Sequence, residues 1–238
     1  MSSDAHENLT RNRLLASLPA EELEHIGRHC EFVSLRHGFC AITPDEPIRD
    51  VYFPLNCLLS MVTTMEDGAS AESGSIGREG MSGIPVLLNA GQTTMPTFVQ
   101  IPGDAARLRA EAVRELYERG GGAHRVFNRY IHTVVVVGSQ STACNALHRI
   151  ERRMCRWLLM SSDGVGSDEV NLTQEYLAVM PGVRRPGVTE IAGRLRAEGL
   201  IDYRRAHIRI LHRAELERMA CECYARVRGE YERLFGDD

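Results

Sequence analysis

The chain has 238 residues and a formal net charge of -4, with 43% hydrophobic and 25% charged residues. These values are typical of globular proteins, and they exclude a disordered or fibrous chain and a uniformly basic nucleic-acid binder. The length allows one large domain or two ordinary ones, and we expect two.

No apolar segment reaches the roughly 18 residues that a membrane-spanning helix needs, and residues 1–13 lack the hydrophobic segment of a signal peptide. We therefore expect a cytoplasmic protein without a membrane partner. Seven cysteines are scattered along the chain, so we expect reduced thiols rather than a disulfide framework. All 28 basic residues are arginines, whose planar guanidinium groups suit phosphate contacts.

The first third of the chain predicts two short helices followed by strands. Apolar residues recur at helical spacing from Leu14 to Ile26. Over residues 32–113, short apolar segments alternate with glycine, proline, asparagine and aspartate, a texture that predicts an antiparallel sandwich or barrel. The predicted strands are residues 32–35, 51–53, 57–62, 71–76 and 98–101.

Residues 123–161 contain no proline, which predicts one long helix or two consecutive helices after the glycines at 120–122. The alternative for residues 134–137 is a buried strand, because all four are valine. As a helix, the segment has a face with coiled-coil spacing, and small residues on it would let two helices approach closely. The residues predicted for this dimer contact are Phe127, Ile131, Val134, Gly138 and Ser141.

Residues 163–168 have the composition of a linker, and the segment after them has the features of a helix-turn-helix. Ala178 is a small residue where two helices can cross, and Gly182 suits the turn. The second helix is predicted to begin at Arg185 or Pro186, because proline is tolerated in the first helical turn. Its core-facing residues are predicted to be Val188, Ile191 and Leu195.

Residues 171–213 hold eight arginines and four acidic residues, a local excess that suits DNA. Arg184, Arg185, Thr189 and Glu190 lie on the N-terminal side of the predicted second helix, where arginine can contact guanine and glutamate can accept from cytosine. Residues 200–211 predict two short strands with a basic turn, a wing that contacts the DNA backbone. The predicted wing contacts are Arg204, Arg205 and His207.

Over nearly its whole length the chain resembles the Crp/Fnr family of bacterial transcription regulators. The resemblance rests on the segments Asp50-Val-Tyr-Phe, Arg152-Arg-Met-Cys-Arg-Trp-Leu-Leu, Leu172-Thr-Gln-Glu-Tyr-Leu-Ala and Gly199-Leu-Ile. It implies an α+β fold: an N-terminal cyclic-nucleotide-binding-type β-roll (a double-stranded β-helix), a long dimerisation helix and a C-terminal winged helix-turn-helix. We accordingly expect a sensor domain at 1–122, a dimerisation helix and hinge at 123–162, and the DNA-binding domain with a C-terminal helix at 163–238.

The resemblance also adds and modifies candidate DNA contacts. It implies that Thr173 and Gln174 begin the helix before the recognition helix, and that Arg185 is the first-turn arginine. Pro186 replaces the usual base-reading glutamate, and Glu190 stands where arginine is common. We therefore expect an operator that differs from the familiar one.

The effector pocket of nucleotide-binding relatives has a glutamate and an arginine that this chain lacks at the matching positions. Ile84 stands in place of the glutamate, and Thr93 and Thr94 in place of the arginine. With Gly80 and Gly83, these residues are our candidate pocket. A buried phosphate without a cation is costly, so we do not expect cyclic AMP in the usual mode. We predict no cofactor and no metal ligand, and no role is assigned to Cys221 and Cys223.

These features predict a sequence-specific transcription regulator that binds double-stranded DNA as a homodimer. Its N-terminal domain would sense an unidentified signal, and RNA polymerase is a candidate further partner. The alternative is a ligand- or redox-binding module that acts through protein partners. We do not expect an enzyme, because no convergent acid, base or metal group is visible in the sequence.

Overall fold

The computed structural model describes residues 3–68, 70–171, 185–204 and 207–236. Its N-terminal part consists of three helices, seven strands with a short helix between the fifth and sixth, and a closing helix. In chain order these are α1 (Ser3–Thr10), α2 (Arg13–Ala16), α3 (Ala20–His29), β1 (Glu31–Leu35), β2 (Cys40–Ile42), β3 (Asp50–Pro54), β4 (Leu58–Thr64), β5 (Ser70–Ile76), α4 (Ile84–Leu87), β6 (Thr97–Ile101), β7 (Gly103–Arg109) and α5 (Ala110–Glu118).

The strands form two antiparallel sheets, in the orders β1-β7-β3 and β2-β6-β4-β5. Leu14, Phe53 and Phe127 are fully buried in the core beneath the first sheet. Each such side chain contributes about 1.5 to 3 kcal/mol when removed from water. The α+β fold and the five predicted strand segments are confirmed.

Two strands (β2 and β7) and three helices (α1, α4 and α5) of this domain were not predicted. The sequence Gly-Asp-Ala-Ala-Arg-Leu-Arg of β7 is poor in β-branched residues, yet β7 is the middle strand of its sheet. It pairs with β1 on one side and with β3 on the other. The strand-rich region also ends earlier than expected, because Val113 lies in α5. Backbone pairing on both edges therefore outweighs the low strand propensity of β7.

Two consecutive helices follow, α6 (Gly121–Leu147) and α7 (Ile150–Val165), so the strand alternative for residues 134–137 is wrong. The carboxylate of Glu22 accepts hydrogen bonds from the amides of Gly122 and Ala123, at 3.1 and 2.5 Å. These amides have no partner within the helix, and a carboxylate at this end also complements the helix dipole. The start of α6 is thereby fixed to α3.

The face of α6 predicted for dimerisation lies instead against its own protomer. Phe127 is fully buried in the N-terminal core, and Ile131 packs beside it. Val134, Gly138 and Ser141 line an internal cavity. The apolar side of the helix is covered by the β-roll because that sheet must also bury an apolar face. The exposed face of α6 carries Asn128, His132, Val135, Ser139, Thr142 and Ala146.

The described residues of the C-terminal part form a three-stranded sheet in the order β8-β10-β9 and three helices. Its elements are β8 (Glu169–Asn171), α8 (Arg185–Ala197), β9 (Ile201–Arg204), β10 (His207–Ile210), α9 (Arg213–Met219) and α10 (Cys223–Phe235). Val188, Ile191 and Leu195 of α8 are buried with Leu158 of α7 and Ile208 of β10. The predicted core face of the second helix and the wing strands are thus confirmed.

The last helix, α10, returns to the N-terminal part of the molecule. Leu234 is buried in the N-terminal core, and Tyr231 and Phe235 pack against the same core. The guanidinium carbon of Arg13 lies 4.3 Å from the centre of the Phe235 ring. The sequence groups this helix with the DNA-binding domain, and the structure shows that it also packs against α6. In the described ranges, no helix is both long and apolar enough to span a membrane.

Candidate nucleic-acid interface and effector cavity

The helix α8 has one buried face and one exposed face. Val188, Ile191 and Leu195 hold it in the core, while Thr189 and Glu190 are exposed near its N-terminal end. Arg185 is its first residue. The exposed side chains thus lie where a recognition helix contacts base edges. The predicted contacts Thr173, Gln174, Arg184 and Arg205 lie outside the described residues.

The arginines in the C-terminal half of α8 form ion pairs within the protein. Arg194 lies 3.1 Å from the carboxylate of Glu151 in α7, and Arg196 lies 3.8 Å from Asp202 in β9. Surface pairs of this kind contribute little stability each, about 0 to 1 kcal/mol. They link α8 to both α7 and the wing, while the buried residues of α8 hold it in the core.

The wing is the hairpin of β9 and β10, with Ile208 opposite Tyr203. Arg204 is exposed at the end of β9, and its guanidinium lies 3.3 Å from the Asp202 carboxylate. The Nδ1 atom of His207 is 2.6 Å from the side-chain oxygen of Asn171, which joins the wing to β8. The structure therefore places Arg204 and His207 together at the tip, as predicted.

A cavity of about 530 Å³ lies between the β-roll and the helices α6 and α7. Of the predicted pocket residues, Gly83, Ile84 and Thr93 line it, whereas Gly80 and Thr94 do not. Gly80 lies against the ring of Tyr130, with no room for a side chain. The predicted pocket residues thus form one wall of the cavity, and the prediction missed the walls formed by α6 and α7.

The polar groups of the cavity come from distant parts of the chain. Glu72 of β5 lines it and accepts a hydrogen bond from Ser60, and burial raises the pKa of Glu72 to about 8. From α7, Arg156 donates to the hydroxyl of Ser141 at 2.7 Å, and Trp157 lies beside it. Neither Nε of Arg156 nor Nε1 of Trp157 has a hydrogen-bond partner within the described ranges. Sequence reasoning missed both residues, because they lie about 60 or more positions from the predicted pocket.

Comparison with protein families places the DNA-facing elements in a known domain. Residues 152–219 match the Crp-like helix-turn-helix domain. This part of the chain is a Crp-like helix-turn-helix domain. It includes α7, α8, the wing and α9, so the match covers the exposed face of α8 and the wing tip.

Solved structures with the same fold cover most of the chain. A putative Crp/Fnr regulator from Eubacterium rectale aligns with a TM-score of 0.65 and 16% identity, covering 88% of this chain and 98% of the other. FixK2 from Bradyrhizobium japonicum gives 0.65 and 11%, covering 81% and 98%. The c-di-GMP responsive global regulator CLP from Xanthomonas campestris gives 0.62 and 15%, covering 81% and 99%. A search of curated protein sequences gave no match.

The chain is thus a DNA-binding transcription regulator with the fold of the Crp/Fnr proteins. The resemblance inferred from its sequence is confirmed for the fold and for the Crp-like domain. The comparisons identify no ligand for this chain.

A charged network joins α9 to the end of α7. Arg213 lies 3.3 Å from the carboxylate of Asp168, also pairs with Asp163, and donates to the hydroxyl of Tyr224 at 2.8 Å. Burial alone would lower the pKa of Arg213, but Asp163 and Tyr224 raise it above its ordinary value. This charged network is partly buried, so removing Arg213 would leave the Asp163 carboxylate without its cationic partner.

Proposed function

We propose that two copies of this chain bind one pseudo-palindromic site on double-stranded DNA in the cytoplasm. In each copy α8 enters the major groove, and Arg204 and His207 of the wing contact the flanking backbone. The observation that carries this proposal is the exposed N-terminal side of α8 with Thr189 and Glu190, set in a Crp-like domain. The chain acts by recruiting or blocking RNA polymerase and not as an enzyme.

The proposed dimer contact is the exposed face of α6. Asn128, His132, Val135, Ser139 and Thr142 recur at alternating spacings of four and three residues, which keeps them on one side of the helix. Val135 is 63% exposed in the middle of this face. Two copies of α6 related by a twofold axis would bury it, because each helix offers the same surface to the other.

DNA selection from a randomised duplex pool, followed by gel-shift titration, tests sequence-specific binding. We expect Arg185→Ala to weaken binding to the selected site by about 10-fold or more, since one base contact is worth roughly 1 to 3 kcal/mol. The matched control is Arg36→Ala, an exposed arginine of the β-roll. The proposal fails if no sequence is enriched, or if both variants bind the selected site with unchanged affinity while remaining dimeric.

The second part of the proposal is that the cavity binds the signal. Its lining is mainly apolar, as in most small-molecule sites, and Arg156 and Trp157 add donors that lack partners within the described ranges. The carboxyl group of Glu72 has a pKa of about 8, so it is largely protonated and uncharged at neutral pH. An uncharged carboxyl group does not repel an anionic ligand. These features favour a mainly apolar molecule with one acidic group over a nucleotide.

Decanoate serves as the probe for this ligand class, with cyclic AMP and c-di-GMP as nucleotide comparisons. We expect decanoate to raise the melting temperature of the purified protein and to change its DNA affinity, and the nucleotides to do neither. The variant Ile84→Trp fills the cavity and should abolish the response to decanoate. A response to cyclic AMP, or an unaltered decanoate response in a folded Ile84→Trp variant, would contradict this assignment.

A further inference from the structure

Three cysteines and one histidine meet where α6 ends and α10 begins. Cys144 lies in the last turn of α6 and His148 directly follows that helix, while Cys221 and Cys223 lie at the start of α10. Their candidate ligand atoms all lie within 4.8 Å of one another. The sulfur atoms of Cys144 and Cys221 lie 3.5 Å apart, and the sulfur of Cys223 lies 3.5 Å from Nδ1 of His148.

The two separations of 3.5 Å match those between the ligands of a single tetrahedral ion. Ligands about 2.3 Å (sulfur) or 2.0 to 2.1 Å (nitrogen) from zinc lie roughly 3.5 to 3.8 Å from one another in a tetrahedron. The ligands of an iron–sulfur cluster bind at least two different iron atoms, and ligands on different irons stand further apart. Three sulfurs and one imidazole nitrogen are moreover a common ligand set of structural zinc sites.

The histidine is oriented as a metal ligand would be. Its Nε2 atom lies 3.1 Å from a carboxylate oxygen of Glu222, which leaves Nδ1 facing the sulfur of Cys223. A carboxylate on the far nitrogen is the usual outer partner of a metal-bound histidine, since it fixes the tautomer and the ring direction. Arg152 lies 3.8 Å from the same carboxylate group and forms an ion pair with it.

The three cysteines are buried together, and the side-chain amide of Gln140 donates to the sulfur of Cys223 at 3.0 Å. A negative sulfur in a buried site needs a positive partner, and a bound cation supplies one.

We propose that Cys144, His148, Cys221 and Cys223 form a closed, four-coordinate site for one thiophilic divalent cation, with Zn²⁺ as the best match. The site joins the end of α6 to the start of α10. Because His148 lies directly before α7, the ion also fixes the junction that leads into the Crp-like domain. With four protein ligands and no open position, its role is structural.

The first experiment measures the metal content of the full chain, purified under reducing conditions, by elemental mass spectrometry. We expect about one zinc ion per protomer, and a marked decrease in Cys223→Ser and His148→Ala. The control variants Cys30→Ser and Cys40→Ser change half-buried cysteines elsewhere and should retain the metal. Circular dichroism of every variant establishes that it is folded.

The second experiment reloads the metal-free wild-type protein with Co²⁺, so it does not depend on any variant folding. Tetrahedral coordination by three thiolates should give intense visible bands and a thiolate-to-metal charge-transfer band. Equal metal loss in the control variants would overturn the proposal. So would iron with acid-labile sulfide, or a reduced protein that binds neither Zn²⁺ nor Co²⁺. Neither measurement involves DNA, so the result is independent of the proposed function.

Discussion

The backbone amide of Arg78 donates a hydrogen bond of 2.8 Å to the carbonyl oxygen of Gly164. This bond joins the loop after β5 to the end of α7, so it links the β-roll to the helix that begins the Crp-like domain. Arg78 also donates through Nε to the carbonyl oxygen of Asp163 at 3.0 Å. These two hydrogen bonds therefore connect the loop after β5, a strand that lines the cavity, to the helix that begins the DNA-binding part.

Gly77→Ala tests this connection. A methyl group on Gly77 would overlap the backbone of Gly164, which cannot move aside without shifting α7. We expect a loss of about 1 to 3 kcal/mol in the free energy of unfolding, measured by chemical denaturation. The control is Gly229→Ala in α10, where a methyl group meets no atom within 4 Å. If both variants are as stable as the wild type, the close contact is absent in solution.

Arg204→Ala tests the wing. This exposed arginine is placed to contact phosphate, so its removal should weaken binding about equally for all DNA sequences. We also expect the slope of log K against log salt concentration to become shallower by about 1. Fluorescence anisotropy at several salt concentrations measures both effects. An unchanged slope, or a change of sequence preference, would argue against a backbone contact.

Val135→Arg tests the dimer contact on α6. Two arginines brought together at a twofold axis would repel each other and could not be buried without a counter-charge. We expect the variant to elute as a monomer in size-exclusion chromatography with light scattering, and to lose cooperative operator binding. Met65→Arg, at an exposed position between β4 and β5, should remain dimeric. A dimeric Val135→Arg protein would place the contact elsewhere.

The carboxyl group of Glu72 predicts a pH dependence of stability. Its pKa is about 8 in the folded protein, against about 4.3 in an unfolded chain. Between these values the folded state holds a proton that the unfolded state has lost, so the free energy of unfolding falls as pH rises. Melting curves between pH 5 and pH 9 should show a smaller decrease for Glu72→Gln than for the wild type. The exposed Glu46→Gln should match the wild type.

The local chemistry of the chain was sufficient to predict its DNA-binding part. Val188, Ile191 and Leu195 are spaced for one helix face, and the alternation around Ile208 predicts a strand. Both features depend on residues within one or two turns or within one hairpin, so they are readable from short segments. The strand β7 is different. Its residues carry no strand signal, and only its position between β1 and β3 makes it a strand.

Some features of α6 follow from the sequence, and others follow only from the fold. Its length and periodicity were readable, but periodicity alone could not tell which face would meet the β-roll and which would stay exposed, because both faces have coiled-coil spacing. The burial of Phe127 and the exposure of Val135 depend on where the sheet lies. The pocket partners Glu72 and Arg156 likewise come from segments that only the folded chain brings to one cavity.

The sequence by itself was sufficient to predict the winged-helix elements, most strands of the N-terminal domain and the order of the parts, because the patterns that predict them span neighbouring residues. The tertiary structure alone decided which distant side chains meet. Cys144 and Cys221 are 77 positions apart, and their sulfur atoms come within 3.5 Å because α10 folds back along α6. No local pattern encodes that approach, since it results from the burial of Leu234 and its neighbours against the N-terminal core.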